Sequence, residues 1–130
     1  MKRMIVLLLL MCFFLPACFP GSVAQLRTDS PETYQYKSAR NYQDEYRFAL
    51  DLFDKCLGSG LFMDLRIQPN LYTDKRFGEI TIIQNNLGTK YYHLNMVIKE
   101  INESSSEVTT YGFGHWRDWG QVIESGKCPE

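Results

Sequence analysis

Few residues in this chain could do chemistry. There are four cysteines, Cys12, Cys18, Cys56 and Cys128, and two histidines, His93 and His115. An imidazole serves as a general base near neutral pH when a carboxylate positions it inside a pocket. His93 stands in the middle of an alternating run, beside Tyr91 and Asn95, and no aspartate lies two residues away on that run. It reads as a surface histidine. His115 falls in Gly112-Phe113-Gly114-His115-Trp116-Arg117-Asp118-Trp119-Gly120, the most unusual stretch of the chain. One reading is a ligand loop at a helix start, its N–H groups aimed at an anion and Trp116 and Trp119 offering indole faces. The other is a strand-to-helix corner with both tryptophans as core anchors and Arg117 and Asp118 in solvent. Trp116, Trp119, Val122 and Ile123 share one helical stripe, which favours the corner. The G-x-G alone lacks the third glycine of a nucleotide-binding turn.

No G-x-S-x-G, H-E-x-x-H or P-loop occurs, and no C-x-x-C accompanies the histidines. No catalytic residue, metal or cofactor is therefore expected. The net charge of −1 provides no basic field for a polyanion, which argues against nucleic-acid binding. With 45% apolar and 22% charged residues, the 130-residue chain has the composition of one globular domain.

The chain starts with an address. Lys2 and Arg3 precede an almost unbroken apolar run from Met4 to Leu15, shorter than the ~20 residues a membrane span needs. Leu15-Pro16-Ala17-Cys18 follows. This box resembles the processing site of bacterial lipoproteins, with an aliphatic residue at −3, a small residue at −1 and cysteine at the cut. Pro16 departs from the small residue usual at −2. The resemblance covers residues 1–18 only. It implies that residues 1–17 are a signal peptide, that Cys18 carries diacylglycerol and an amide-linked acyl chain such as palmitate, and that the membrane is a partner through this lipid. Phe19, where an aspartate would signal inner-membrane retention, points to the outer membrane, with the domain facing the periplasm. The competing cut lies after Ser22-Val23-Ala24 and would release a soluble protein lacking Cys18.

Either cut removes Cys12 and leaves Cys56 and Cys128 as an even pair in an oxidising compartment. A disulfide between them is expected; two unpaired thiols are the alternative.

Positioning elements can be read beyond that point. Residues 18–40 are rich in Gly, Pro, Ser and Thr without a period, and read as the lipidated cysteine and a flexible linker averaging about 25 Å. Tyr34 and Tyr36 could shorten it by packing on the domain. A single α+β domain is expected over 41–130. Asn41 is a candidate N-cap. Tyr42, Tyr46, Ala49, Leu50, Phe53 and Leu57 then recur at helical spacing, with Asp44 and Glu45 on the remaining faces and Gly58 at the end. Period-two runs follow at 61–68, 78–84, 91–101 and 108–113, separated by Pro69-Asn70, Asn85-Asn86-Leu87-Gly88 and Asn102 to Ser106. A second helix ends at Gly126. The order α-β-β-β-β-α predicts a two-layer sandwich, a four-stranded antiparallel meander with both helices on one face.

These readings point to a non-catalytic envelope lipoprotein, a binding or scaffolding module for an envelope protein partner. Its contact surface is expected on the wetter sheet face, at Tyr91, His93, Asn95, Val97 and Ile83, or at an exposed sheet edge. Two alternatives stand beside it. One is a small envelope enzyme using His115 or His93 with Asp118. The other is a secreted inhibitor or immunity-type protein.

Overall fold

Ordered structure starts inside the stretch whose composition suggests a linker. Ser22 caps helix α1, Val23–Asp29, its hydroxyl accepting from the Gln25 N–H at 3.1 Å. Leu26 of this helix is fully buried. Tyr34–Ser38 then forms strand β1. The computed structural model describes residues 19–30, 33–58 and 64–129. The expected signal peptide over 1–17, Cys18 and residues 61–63 of the first predicted strand lie outside these.

The helical stripe after Asn41 forms α2, Tyr42–Leu57, and the Asn41 side chain accepts from the N–H groups of Gln43 and Asp44. Its apolar face buries Tyr42, Tyr46, Ala49, Leu52 and Phe53. It also buries Glu45, which the pattern places on a solvent face. The period-two runs become β2 (Leu65–Tyr72), β3 (Phe77–Asn86), β4 (Thr89–Asn102) and β5 (Ser105–Gly112). The sheet order is β1-β5-β4-β3-β2, every neighbouring pair antiparallel. β1 and β2 precede and follow α2 in the chain but occupy opposite edges, so α2 spans the sheet between them. Pro69, predicted to end a strand, lies within β2 opposite Ile80. β2 is an edge strand, where a missing N–H costs no ladder bond.

A 3₁₀ turn, Gly114–Asp118, and α3, Trp119–Ser125, close the chain. Trp116, Trp119 and Ile123 share one core with α2 and with Ile80, Ile82, Leu94, Met96, Ile98 and Val108 of the sheet. Gly120 lets α3 approach closely: a Cβ there would stand 2.6 Å from Thr110 Oγ1 and from the Tyr34 Cβ. Gly126 ends the helix in the left-handed region, at φ 69°. Cys56 and Cys128 are bonded, their Cα atoms 5.4 Å apart, joining the last turn of α2 to the segment after α3.

The α+β class is as the sequence predicts, with corrections in detail. The sheet has five strands rather than four, and three helices rather than two are described. α2 and α3 share the core face, while α1 packs on the other, where Arg27 meets Asn95 and Glu79. The sheet is therefore covered from both sides. The wetter face is not wet: Asn95 is fully buried and His93, Val97 and Ile83 are each at most 8% exposed. Tyr91 is half-buried.

Candidate functional site

A register shift in β4 builds the most distinctive site. Ile82 pairs with Leu94 and Ile83 with Tyr92, so His93 is the extra residue of a β-bulge. Strict alternation puts His93 and Asn95 on one face. The bulge separates them.

His93 is turned into an aromatic column. Its ring stacks on Trp116 at 5.6 Å, Trp116 on Trp119 at 5.3 Å, and Trp119 on Phe53 at 5.2 Å. His115 lies against Trp116 at 5.2 Å. Phe19 closes the outer end, 5.4 Å from Tyr91, 5.6 Å from Phe113 and 6.3 Å from His93. The chain is pinned there, because the Pro20 carbonyl accepts the Tyr92 N–H at 3.0 Å while the Phe113 N–H donates to the His93 carbonyl.

His93 is thus a buried side chain, correcting its surface reading. Its Nε2 pairs with Gln84 Oε1 at 2.9 Å, and an amide oxygen in that role places the proton on Nε2. Burial lowers its pKa, and the nearby His115 lowers it further. Folding therefore favours the neutral ring. The unfolded chain takes up the proton first as pH falls below about 6.5, so stability drops with acidification until the folded ring also protonates. We expect the thermal midpoint to decline below pH 6.5, with a slope of no more than about 1.4 kcal/mol per pH unit from this one group. In His93→Gln that part of the slope should vanish. An unchanged pH profile in the variant would show that the decline has another source.

Asn95 belongs to a second cluster on the α1 face. Its Oδ1 accepts from Arg27 Nε and Nη2 at 2.9 and 2.8 Å. Its Nδ2 donates to Glu79 Oε1 and Thr81 Oγ1 at 2.8 and 3.0 Å. Arg27 also pairs with Glu79 at 2.8 Å and lies over the Tyr111 ring. A groove of about 540 Å³ opens beside this cluster, between α1 and the sheet, with Arg27, Phe77, Glu79, Lys99 and Tyr111 in its wall. Its polar groups are largely satisfied by one another, which holds α1 in place.

Of the residues singled out in the sequence, the structure gathers Tyr91, His93, His115, Trp116 and Trp119 into the column. It leaves Asn95 in the α1 cluster and Arg117 in solvent. Trp116 and Trp119 are 4% and 6% exposed, with protein rings on their faces, so they act as core anchors rather than open platforms. Asp118 is exposed, and among the described residues neither histidine has a hydrogen-bonded carboxylate. No group of three or more His, Cys, Asp or Glu is placed to hold a metal among these residues. Phe19, Gln84, Arg27 and Glu79 escaped the sequence reading. Their partners are 9 to 94 residues away, where no local spacing signals them.

The fold and site define a small α+β domain, a five-stranded antiparallel sheet with helices on both faces and a disulfide from α2 to the segment after α3. No protein-family model, curated protein or solved structure matches the chain.

Proposed function

We propose that the chain is a lipid-anchored protein of a bacterial envelope, in which Cys18 carries the acyl chains and residues 19–130 act as a non-catalytic binding or scaffolding module in the periplasm. The observation that carries this reading is the box Leu15-Pro16-Ala17-Cys18 at the end of an export signal, directly before structure that needs its first residues. A cut before Cys18 keeps every described residue. A cut after Ala24 removes the Ser22 cap, the Phe19 contacts and the Pro20–Tyr92 hydrogen bond, and leaves α1 without its first two residues. The Cys56–Cys128 bond suits an oxidising compartment. Among the described residues no helix is long and apolar enough to cross a membrane.

Burial of the α1 face moves the proposed partner surface to a sheet edge. Among the described residues β2 has one unpaired side, and it carries Leu71, 40% exposed, near its end. An extended partner segment could add there, away from Pro69.

Intact mass spectrometry of the mature protein tests the reading. The expected mass begins at Cys18 with a diacylglyceryl group and an amide-linked acyl chain attached, and is two protons short for the bonded cysteines. A full-length chain starting at Met1 with a bare Cys18 thiol would overturn it.

A further inference from the structure

We propose that the end of the sheet carrying Phe19 and the β3–β4 turn seats in the polar–apolar boundary of a lipid bilayer, so that the domain is held flush on the membrane in one orientation. This rests on the lipid-anchor reading and sharpens it. The first argument is chain length. Pro20 is fixed to β4 through its bond to the Tyr92 N–H, and Phe19 is packed on Tyr91 and Phe113. Only Phe19 separates Pro20 from Cys18, and two residues span about 7 Å at most. A lipid on Cys18 therefore brings the bilayer to the sheet itself, with no room for a coil that would lift the domain away.

The second argument is Leu87. It occupies the first position of the two-residue turn Leu87-Gly88, at φ 48°, with Gly88 at φ 85°. Both positions need positive φ, a geometry that favours Asn and Gly and is uphill for leucine. Its side chain is also fully exposed, at 102% of the reference area. A large apolar residue that is strained in its backbone and bare to water has no compensation within the domain, and such local conflicts mark positions serving something outside the fold.

The third argument is shape. Among the described residues the β2–β3 ladder ends at Gln84, with one further bond from the Asn85 N–H to the Asp64 carbonyl, and the β4–β5 ladder starts at Leu94, with one further bond from the Phe113 N–H to the His93 carbonyl. The turn thus projects beyond its described neighbour strands, at the end of the sheet where Phe19 is 49% exposed. Aromatic and aliphatic side chains beside a cation, here Lys90, are the composition of a membrane-interface contact. The acyl chains supply the affinity, and the patch fixes the orientation.

The experiment uses the lipid-modified protein, checked by intact mass, in vesicles of phosphatidylethanolamine and phosphatidylglycerol. In L87W, the added indole is read against the background of Trp116 and Trp119 in the parent. With nitroxide-labelled lipids, the added emission should be blue-shifted and quenched at least twofold. In a soluble chain starting at Phe19 it should remain at the solvent wavelength. Acylated L87W with solvent-like, unquenched emission overturns the seating while the anchor reading stands. So does a blue shift that needs an envelope extract rather than pure vesicles, since it indicates a protein partner. A mature chain without acyl groups on Cys18 overturns the anchor reading, and the seating with it, from the mass alone. A second measurement isolates the Leu87 argument: L87N should raise the thermal midpoint of the soluble chain by about 2–5 °C. A lowered midpoint would mean that Leu87 serves the fold, and would remove this support.

Discussion

Replacing Glu45 with alanine is expected to lower the unfolding free energy by about 3 kcal/mol. Glu45 is 1% exposed and lies in the first turn of α2, where the helix dipole favours a carboxylate. Its Oε1 accepts from the Tyr36 hydroxyl at 2.7 Å, and its Oε2 from Ser38 Oγ at 2.6 Å and Arg40 Nη1 at 2.9 Å. The three donors sit on β1 or just after it, so one buried carboxylate ties the edge strand to the helix that follows. Burial, and then the bond to Glu45, push the Tyr36 phenol well above the ordinary tyrosine range, which keeps it a donor.

The Arg40 partner contributes least to this loss. Its side chain is 47% exposed and rehydrates when the carboxylate is removed. The cost comes from the Tyr36 and Ser38 hydroxyls, both on buried residues, each left without its acceptor at about 1–3 kcal/mol. Tyr36→Phe should cost about 1.5–3 kcal/mol, because it leaves the buried, charged Glu45 Oε1 without its donor. The double variant should lose less than the sum of the two single losses. Urea titration of the soluble chain from Phe19 measures all three. A loss below about 0.5 kcal/mol in Glu45→Ala, the size of an ordinary surface change, would show that the network does not hold β1 to α2.

Glu45 also shows where sequence reading ends. The stripe Tyr42, Tyr46, Ala49 and Phe53 is periodic, and it locates α2, with its Asn41 cap and core face, from local pattern alone. The meander is legible for the same reason, since short polar turns force consecutive strands to be neighbours. β1 is different. It is five residues long and lies at an edge, and it is a strand because Tyr36 meets Val108 across the sheet, a partner no local window contains. α1 has one fully buried residue in seven, too little for a period to emerge. At the candidate site the aromatic composition around Trp116 was visible, but the bulge at His93 was not. One extra residue in β4 reverses which face a side chain meets, and alternation cannot show it. Glu45 reads as a surface charge for the same reason: the donors that satisfy it lie outside its helix.

Removing the Cys56–Cys128 bond, by reduction or as Cys56→Ser with Cys128→Ser, is expected to cost about 4 kcal/mol. The two residues are 72 apart in sequence, so the bond restrains a loop containing most of the sheet in the unfolded chain. Against the roughly 5–15 kcal/mol typical of a domain, this is a loss of a quarter or more. The folded state should feel it unevenly. α3 has seven residues, too few to persist as a helix alone. Its hold on the core is Trp119 against Phe53, Ile123, and the close seat of Gly120 on β1 and β5. Without the bond, fraying of this C-terminal segment should uncover Trp119 before the sheet melts, so tryptophan emission should change at lower urea than the far-ultraviolet signal of the strands. With the bond intact the two transitions should coincide. For a urea dependence of about 1–2 kcal/mol per molar, the midpoint of the main transition should fall by about 2–4 M. A shift under 1 M would mean that the reduced chain retains most of its stability. The domain would then not need an oxidising compartment, and one line of support for export would be lost.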